Sequence, residues 1–124
     1  MILGVGFDIV ALDRFQALQE RDGFVADILT PAERLALPDP LSPLACALAF
    51  AAKEAVLKAL GCGLTRGWRW KDIETHTHGI RLAGDVRLFA LHRGVATIRS
   101  ARVCTKRHAF ACVIIEGAYQ GGAT

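Results

Sequence analysis

The chain has 124 residues, of which 52% are hydrophobic, with a formal charge of +3 and a mean hydropathy of +0.32. That length suits one domain, which buries a limited share of its surface, so an apolar surplus of this size predicts that some of it closes a subunit interface. No run reaches the roughly eighteen uninterrupted apolar residues of a membrane span, and Met1-Ile2-Leu3 leads into a strand without a basic leader, so a cytoplasmic protein with no membrane segment is expected.

In chain order, the sequence predicts a strand over residues 2–10, then a helix from about Asp13 through Glu20. Thr30-Pro31-Ala32-Glu33 is a capping box with proline at the first helical position, so a short helix should begin there. Pro38, Pro40 and Pro43 break the chain into a rigid loop. The main helix runs from about Leu44 to Leu60, and Gly61-Cys62-Gly63 stops it. Beyond it the pattern gives a strand near Lys71–His76, a helix near Val86–Arg93, and two strands near Ala96–Val103 and Ala109–Glu116 with Lys106-Arg107 in the turn between them. Residues 1–124 read as a single domain without repeats or linkers, and Gly117–Thr124 as a frayed, flexible tail.

Charge divides unevenly. Residues 1–62 hold five basic side chains against eight acidic ones, whereas residues 63–124 hold ten against four. The arginines of the second half are spread out and no nucleic-acid recognition motif accompanies them, so a phosphate-rich ligand or an acidic protein partner fits better than DNA or RNA. Cys46, Cys62, Cys104 and Cys112 lack metal-type spacing and read as reduced, buried thiols. His76 and His78 alternate and could share a strand face, but without a third ligand they read as surface residues; His92 and His108 read as unremarkable.

The chemistry concentrates in two places. Glu54 and Lys58 stand four residues apart in an otherwise apolar helix, which puts a carboxylate and an ammonium on one face. One reading is an ordinary i, i+4 salt bridge. The other begins from Gly4-Val5-Gly6-Phe7-Asp8-Ile9-Val10, a buried strand carrying a single carboxylate between apolar residues, where an unpartnered charge is costly. Asp8 and Glu54 could together hold a hard divalent ion through oxygen ligands, leaving positions for water or phosphate.

These two segments, with Phe50-Ala51-Ala52-Lys53-Glu54-Ala55-Val56-Leu57-Lys58-Ala59-Leu60-Gly61-Cys62-Gly63 as the second, resemble the holo-acyl-carrier-protein synthases, the short class of 4'-phosphopantetheinyl transferases. Ile28-Leu29-Thr30-Pro31-Ala32-Glu33 is similar to that family's threonine and glutamate turn, and Asp72-Ile73-Glu74 to the strand that follows it. The resemblance implies an α+β fold, a small antiparallel sheet packed with one long helix and shorter helices, in a homotrimer with sites between subunits. It implies transfer of 4'-phosphopantetheine from coenzyme A to a serine of an apo acyl carrier protein of fatty-acid or polyketide biosynthesis. By the same resemblance magnesium is the cofactor, held by Asp8 and Glu54, with Lys58 on the phosphates or helping to receive the serine proton, the phosphate role being favoured because a lysine is ordinarily already protonated. Gly61 and Gly63 would admit the nucleotide, and Arg14 and Arg21 would grip the acidic recognition helix of the carrier, plain surface arginines being the other reading.

The chain also departs from the family pattern. Ala49 stands where an arginine is usual, Ala101-Arg102-Val103-Cys104 where serine, an apolar residue, serine or threonine, and histidine are usual, and Gly79-Ile80-Arg81 near the usual Gly-Lys-Pro. The alternative is therefore a diverged, transferase-inactive member that binds a carrier protein or acts on carrier-bound cargo. Cys104, in the histidine position, reads as a structural thiol, since no neighbour in sequence offers a base.

Overall fold

The computed structural model describes residues 1–38, 41–62 and 68–119. Its elements are β1 (Ile2–Ala11), α1 (Leu12–Gln19), α2 (Phe24–Ile28), α3 (Pro31–Ala36), α4 (Pro43–Leu60), a 3-10 turn at Trp70–Asp72, β2 (Ile73–His76), β3 (Gly79–Leu82), α5 (Gly84–His92), β4 (Val95–Cys104) and β5 (His108–Gly117). Strands β1, β5 and β4 form an antiparallel sheet in that order, and β2 and β3 form a separate hairpin.

Helix α4 lies across one face of the sheet, and the sequence allows it to do so at two glycines. A Cβ on Gly4 would sit 2.0 Å from the carbonyl oxygen of Ala59, and one on Gly6 would sit 1.8 Å from that of Ala55. Side chains alternate along a strand, so Asp8 shares this face with Gly4 and Gly6 and is turned toward the helix. The opposing alanines of α4 and β5 (Ala51, Ala55, Ala59, Ala109, Ala111) keep the two layers close, and Val56, Leu60, Val113 and Ile115 fill the space between them. We expect Gly6→Ala to cost about 3 kcal/mol, because the methyl group can be admitted only by lifting α4 off β1. A lowered urea midpoint would register it, and a midpoint equal to that of the parent would contradict this packing.

Both ends of α4 are made locally. The Ser42 hydroxyl accepts from the Ala45 amide 3.3 Å away, and Gly61 at φ 78° lets its own amide and that of Cys62 turn back onto the last carbonyls. Arg93 donates from its guanidinium to the carbonyl of Leu60, closing the helix from outside. The capping box of α3 is formed as the sequence predicts, with the Glu33 amide on Thr30 Oγ1 at 3.1 Å and the Thr30 amide on Glu33 Oε1 at 2.9 Å.

The differences from the sequence expectations have simple causes. Helix α2 and strand β3 are each about one turn or four residues long, too short to show a period. β5 continues through Gly117, whose amide donates to the Met1 carbonyl at 2.8 Å, so the chain is still paired where fraying is expected to begin. Residues 120–124 of that expected tail, with Pro40 and Gly63, lie outside the described residues. β1 is also not buried on both sides. Val5, Phe7 and Ile9 face away from α4 and are at least half exposed, and the register continues them into Ile114, Cys112 and Phe110 of β5 and then Arg99, Ala101 and Val103 of β4. The sheet therefore has one covered face and one bare, largely apolar face.

Candidate active site

Asp8, Glu54 and Lys58 come together where β1 crosses α4, but their pairing is not the one the helix spacing implies. Lys58 Nζ lies 2.7 Å from Asp8 Oδ1 and 3.2 Å from the carbonyl oxygen of Phe7, so the ammonium reaches across to the strand instead of back along its helix. Glu54 takes part in no ion pair or side-chain hydrogen bond among the described residues. Its burial, then the neighbouring charge of Asp8, push its carboxyl above the usual carboxylate range, against the opposite pull of Lys58.

Two carboxylates repelling one another, one of them without a donor, make a donor set that fits a hard divalent cation. Among the described residues no three His, Cys, Asp or Glu side chains are arranged around a common point, so the protein would supply two ligands and leave the others to water or a phosphate ligand. Lys58 is half exposed on a flexible stem, and a cation at Asp8 would free it to swing toward that ligand.

A cavity of about 390 Å³ opens beside the acid pair, walled by Asp8, Glu54, Phe15 and Phe50 and rimmed by Arg14 and His108. Arg14 thus stands at the mouth of the site. Arg21 does not: it falls just beyond the end of α1 and lines a separate cavity of about 540 Å³ with Arg34 and Lys71. Gly61 is exposed at the C-terminal end of α4, one turn from Lys58.

The residue that sequence reasoning missed most completely is Lys53. It is 0% exposed, and its ammonium donates to Glu33 Oε1 at 2.7 Å and to the carbonyl oxygens of Ile73, at 2.5 Å, and Trp70, at 3.2 Å. The other Glu33 oxygen accepts from the Thr75 amide at 3.0 Å and the Thr75 hydroxyl at 2.6 Å. Thr30 donates in turn to Glu74 at 2.7 Å, and Glu74 meets His76 at 2.7 Å. This network ties α3, α4 and β2 together behind the site. The one available signal was a lysine among alanines, one residue away from the face that carries Glu54.

The coenzyme-facing departures are also placed. Arg102 shares the helix-covered side of β4 with Ser100 and donates to the His76 carbonyl oxygen, at the wall of a cavity of about 640 Å³ lined by Thr75, His76, Thr77 and His78. His76 is engaged by Glu74, and no metal arrangement forms there among the described residues. All four cysteines are free; Cys46 is buried, which pushes its thiol up to about 11, whereas Cys104 is exposed, against the expectation of a buried thiol.

A sequence model of the 4'-phosphopantetheinyl transferase superfamily matches residues 4–113, from the first glycine under α4 to the middle of β5. The chain belongs to that superfamily. It is 40% identical over 126 aligned residues to a holo-acyl-carrier-protein synthase of Acidithiobacillus ferrooxidans, covering 94% of this chain and 98% of that protein. It is 51% identical over 76 residues to the synthase of Solidesulfovibrio magneticus, a match spanning 60% of this chain and 61% of the relative. A solved holo-acyl-carrier-protein synthase from Bacillus anthracis in complex with CoA superposes with a TM-score of 0.77 at 28% identity, over 95% of this chain and 99% of that one. The α+β fold implied by the resemblance, one long helix on a small antiparallel sheet, is the one observed, and the membership makes the chain a phosphopantetheinyl transferase by family.

Proposed function

We propose that this protein transfers the 4'-phosphopantetheine group of coenzyme A to a serine of an apo acyl carrier protein, with magnesium held by Asp8 and Glu54. The observation that supports this reading is that Asp8 and Glu54 wall one cavity with Arg14 at its mouth, while Lys58 pairs with Asp8 at 2.7 Å. When bound there, the cation would supply charge neutralisation for the pyrophosphate, the dominant requirement of phosphoryl transfer. Asp8 on β1 and Glu54 on α4 would hold it. Lys58, a point charge on a mobile stem, adds a second cation to the phosphates as charge gathers on the departing adenosine 3',5'-bisphosphate. Gly61 and Gly63 would let the nucleotide approach the backbone. Arg14, and beyond the end of the helix Arg21, dock the acidic carrier.

Intact-mass measurement tests the reading directly. Apo carrier protein incubated with the enzyme, coenzyme A and magnesium should gain the phosphopantetheine increment, and chelation of magnesium should prevent it. Absence of the increment while the carrier still binds would establish the second reading instead, a carrier-binding member without transfer. Ala49, Ala101, Val103 and Cys104, which stand where the family usually has arginine, serine, serine or threonine, and histidine, favour that reading.

The bare sheet face is the natural seam of a homotrimer, because a contiguous apolar surface of β1, β5 and β4 is otherwise left to water. Phe7→Asp, at a position 51% exposed in the single chain, should leave the fold intact and reduce the mass measured by light scattering to that of one chain. A parent protein that is already a monomer would sink the trimer. We place its work in the cytoplasm, where coenzyme A and carrier proteins meet; no helix of the described residues is long and apolar enough to cross a membrane.

A further inference from the structure

We propose that the cavity walled by Arg102 is a second ligand site, one that binds a phosphate monoester. It has a volume of about 640 Å³, lies between β4, α3 and the β2–β3 hairpin, and shares no residue with the cavity at the acid pair. Asp8 stands opposite Ala111 of β5, and Ala111 opposite Arg102. Arg102 is therefore two strands over from Asp8 on the same face, about 10 Å away backbone to backbone, with α4 packed over the strand between them. A cation at this place is costly by itself. Arg102 is half-buried, and the β5 residues in register with it and its same-face neighbours, Ala109, Ala111 and Val113, are buried and apolar. An apolar residue is usual here in the family, so the charge is an addition of this chain and no part of the shared motif.

Nothing within the chain answers that charge. Arg102 takes part in no ion pair among the described residues. Its guanidinium donates to the His76 carbonyl oxygen and keeps most of its N–H groups uncommitted. Burial works against its charge, and the one charge that offsets this is Glu33. Glu33, the carboxylate on the cavity wall, is already held by Lys53 at 2.7 Å and by Thr75, so it neither pairs with Arg102 nor leaves the cavity negative. Glu74, next to it on β2, is taken by Thr30 and His76. The remaining walls bring donors. Ser100, on the same face of β4 as Arg102, and Thr77, in the hairpin turn, carry hydroxyls, and His78 carries an imidazole; none of these side chains is hydrogen-bonded among the described residues. A partly desolvated guanidinium with hydroxyls from two directions suits a tetrahedral anion that takes parallel N–H bonds and has further oxygens to spare. The leaving group of the proposed reaction, adenosine 3',5'-bisphosphate, has such a monoester at its 3' position; a separate phosphorylated ligand is the other source. The site rests on the cavity alone, and only assignment of the phosphate to the coenzyme rests on the transfer reading.

The test is titration calorimetry of the full chain without added metal, using inorganic phosphate, coenzyme A and 3'-dephospho-coenzyme A, on the parent, Arg102→Gln and Arg102→Lys. The parent should bind phosphate, and Arg102→Gln should weaken that binding about 10–100-fold. If the monoester is the coenzyme's, phosphate competes with coenzyme A, the parent prefers coenzyme A to the dephospho form, and Arg102→Gln erases the preference. If it belongs to a separate ligand, phosphate binds without displacing coenzyme A, and the variant leaves the preference unchanged. A parent whose Kd for phosphate is weaker than about 10 mM, or an Arg102→Gln affinity within about threefold of the parent's, overturns the proposal. Arg102→Lys keeps the charge and a donor for the His76 carbonyl, so its thermal midpoint should match the parent's while phosphate affinity falls in part, because an ammonium cannot make the paired bonds. A lowered midpoint with unchanged affinity would make Arg102 structural and overturn the site equally. Failure of the transfer reading shows in the intact-mass assay and leaves the phosphate titration untouched, and the two failures are therefore distinct.

Discussion

Replacing Lys53 with alanine is expected to cost about 3–5 kcal/mol of stability, the largest effect of any single change away from the acid pair. The truncation removes the only cation paired with Glu33 among the described residues and leaves a carboxylate 2% exposed without that partner, while the carbonyl oxygens of Trp70 and Ile73 lose a donor. Lys53→Met, which keeps the stem and loses the charge, should fare little better on its own, because the unpaired Glu33 is the source of the penalty. Lys53→Met combined with Glu33→Gln should recover a large part of the loss, since the amide keeps one acceptor for Thr75. Burial alone would push the Glu33 carboxyl up, but the hydrogen bonds from Lys53, Thr30 and Thr75 outweigh it and hold the group below its ordinary range. A carboxylate depressed in the folded state contributes stability that is present above its unfolded value, about 4.3, and lost as pH falls through the folded one. The parent should accordingly lose stability in acid below about pH 4, and Glu33→Gln should lack that portion of the loss. Urea unfolding of the single and double variants, repeated between neutral and acid pH, measures both; additive costs for the two substitutions would contradict a coupled pair.

How far the sequence reveals this depends on whether a feature is local. The capping box of α3 and the glycine stop of α4 at Gly61 involve residues three or four apart, and they form as the sequence predicts. The glycines of β1 foretell a close approach, and the helix that approaches is the one apolar enough to cover them. Burial of one face and exposure of the other cannot be seen in Val5, Phe7 and Ile9, because a strand inside an oligomer and a strand inside a domain are equally apolar. Lys53 misleads for a related reason: in sequence its nearest acid is Glu54, and only the fold brings Glu33 to it from another helix. Glu54 and Lys58 mark a candidate site because neither belongs in so apolar a helix, yet the partner of Lys58 is Asp8, fifty residues away.

Glu54→Gln should lower transfer by at least about 10²–10³-fold while leaving the metal-free protein as stable as the parent or more so. The two halves of that expectation have one origin. In the parent, burial and the charge of Asp8 push the Glu54 carboxyl up, so its stabilising contribution belongs to the protonated form, is complete below the unfolded value of about 4.3, and is lost as pH rises through the folded one. At neutral pH the ionised carboxylate is therefore a burden on the fold, and glutamine, of the same shape and without charge, relieves it. The difference in thermal midpoint between variant and parent should favour the variant near pH 8 and shrink toward pH 4. On the proposed reading magnesium should reverse the order, because a cation that binds only the folded state stabilises it in step with its affinity, and a neutral amide is a much weaker ligand than a carboxylate. Adding magnesium should raise the midpoint of the parent and not that of Glu54→Gln. An equal rise in both proteins, or transfer retained by the variant, would remove Glu54 from the metal site and leave Asp8 and Lys58 as an ordinary ion pair at the edge of the sheet.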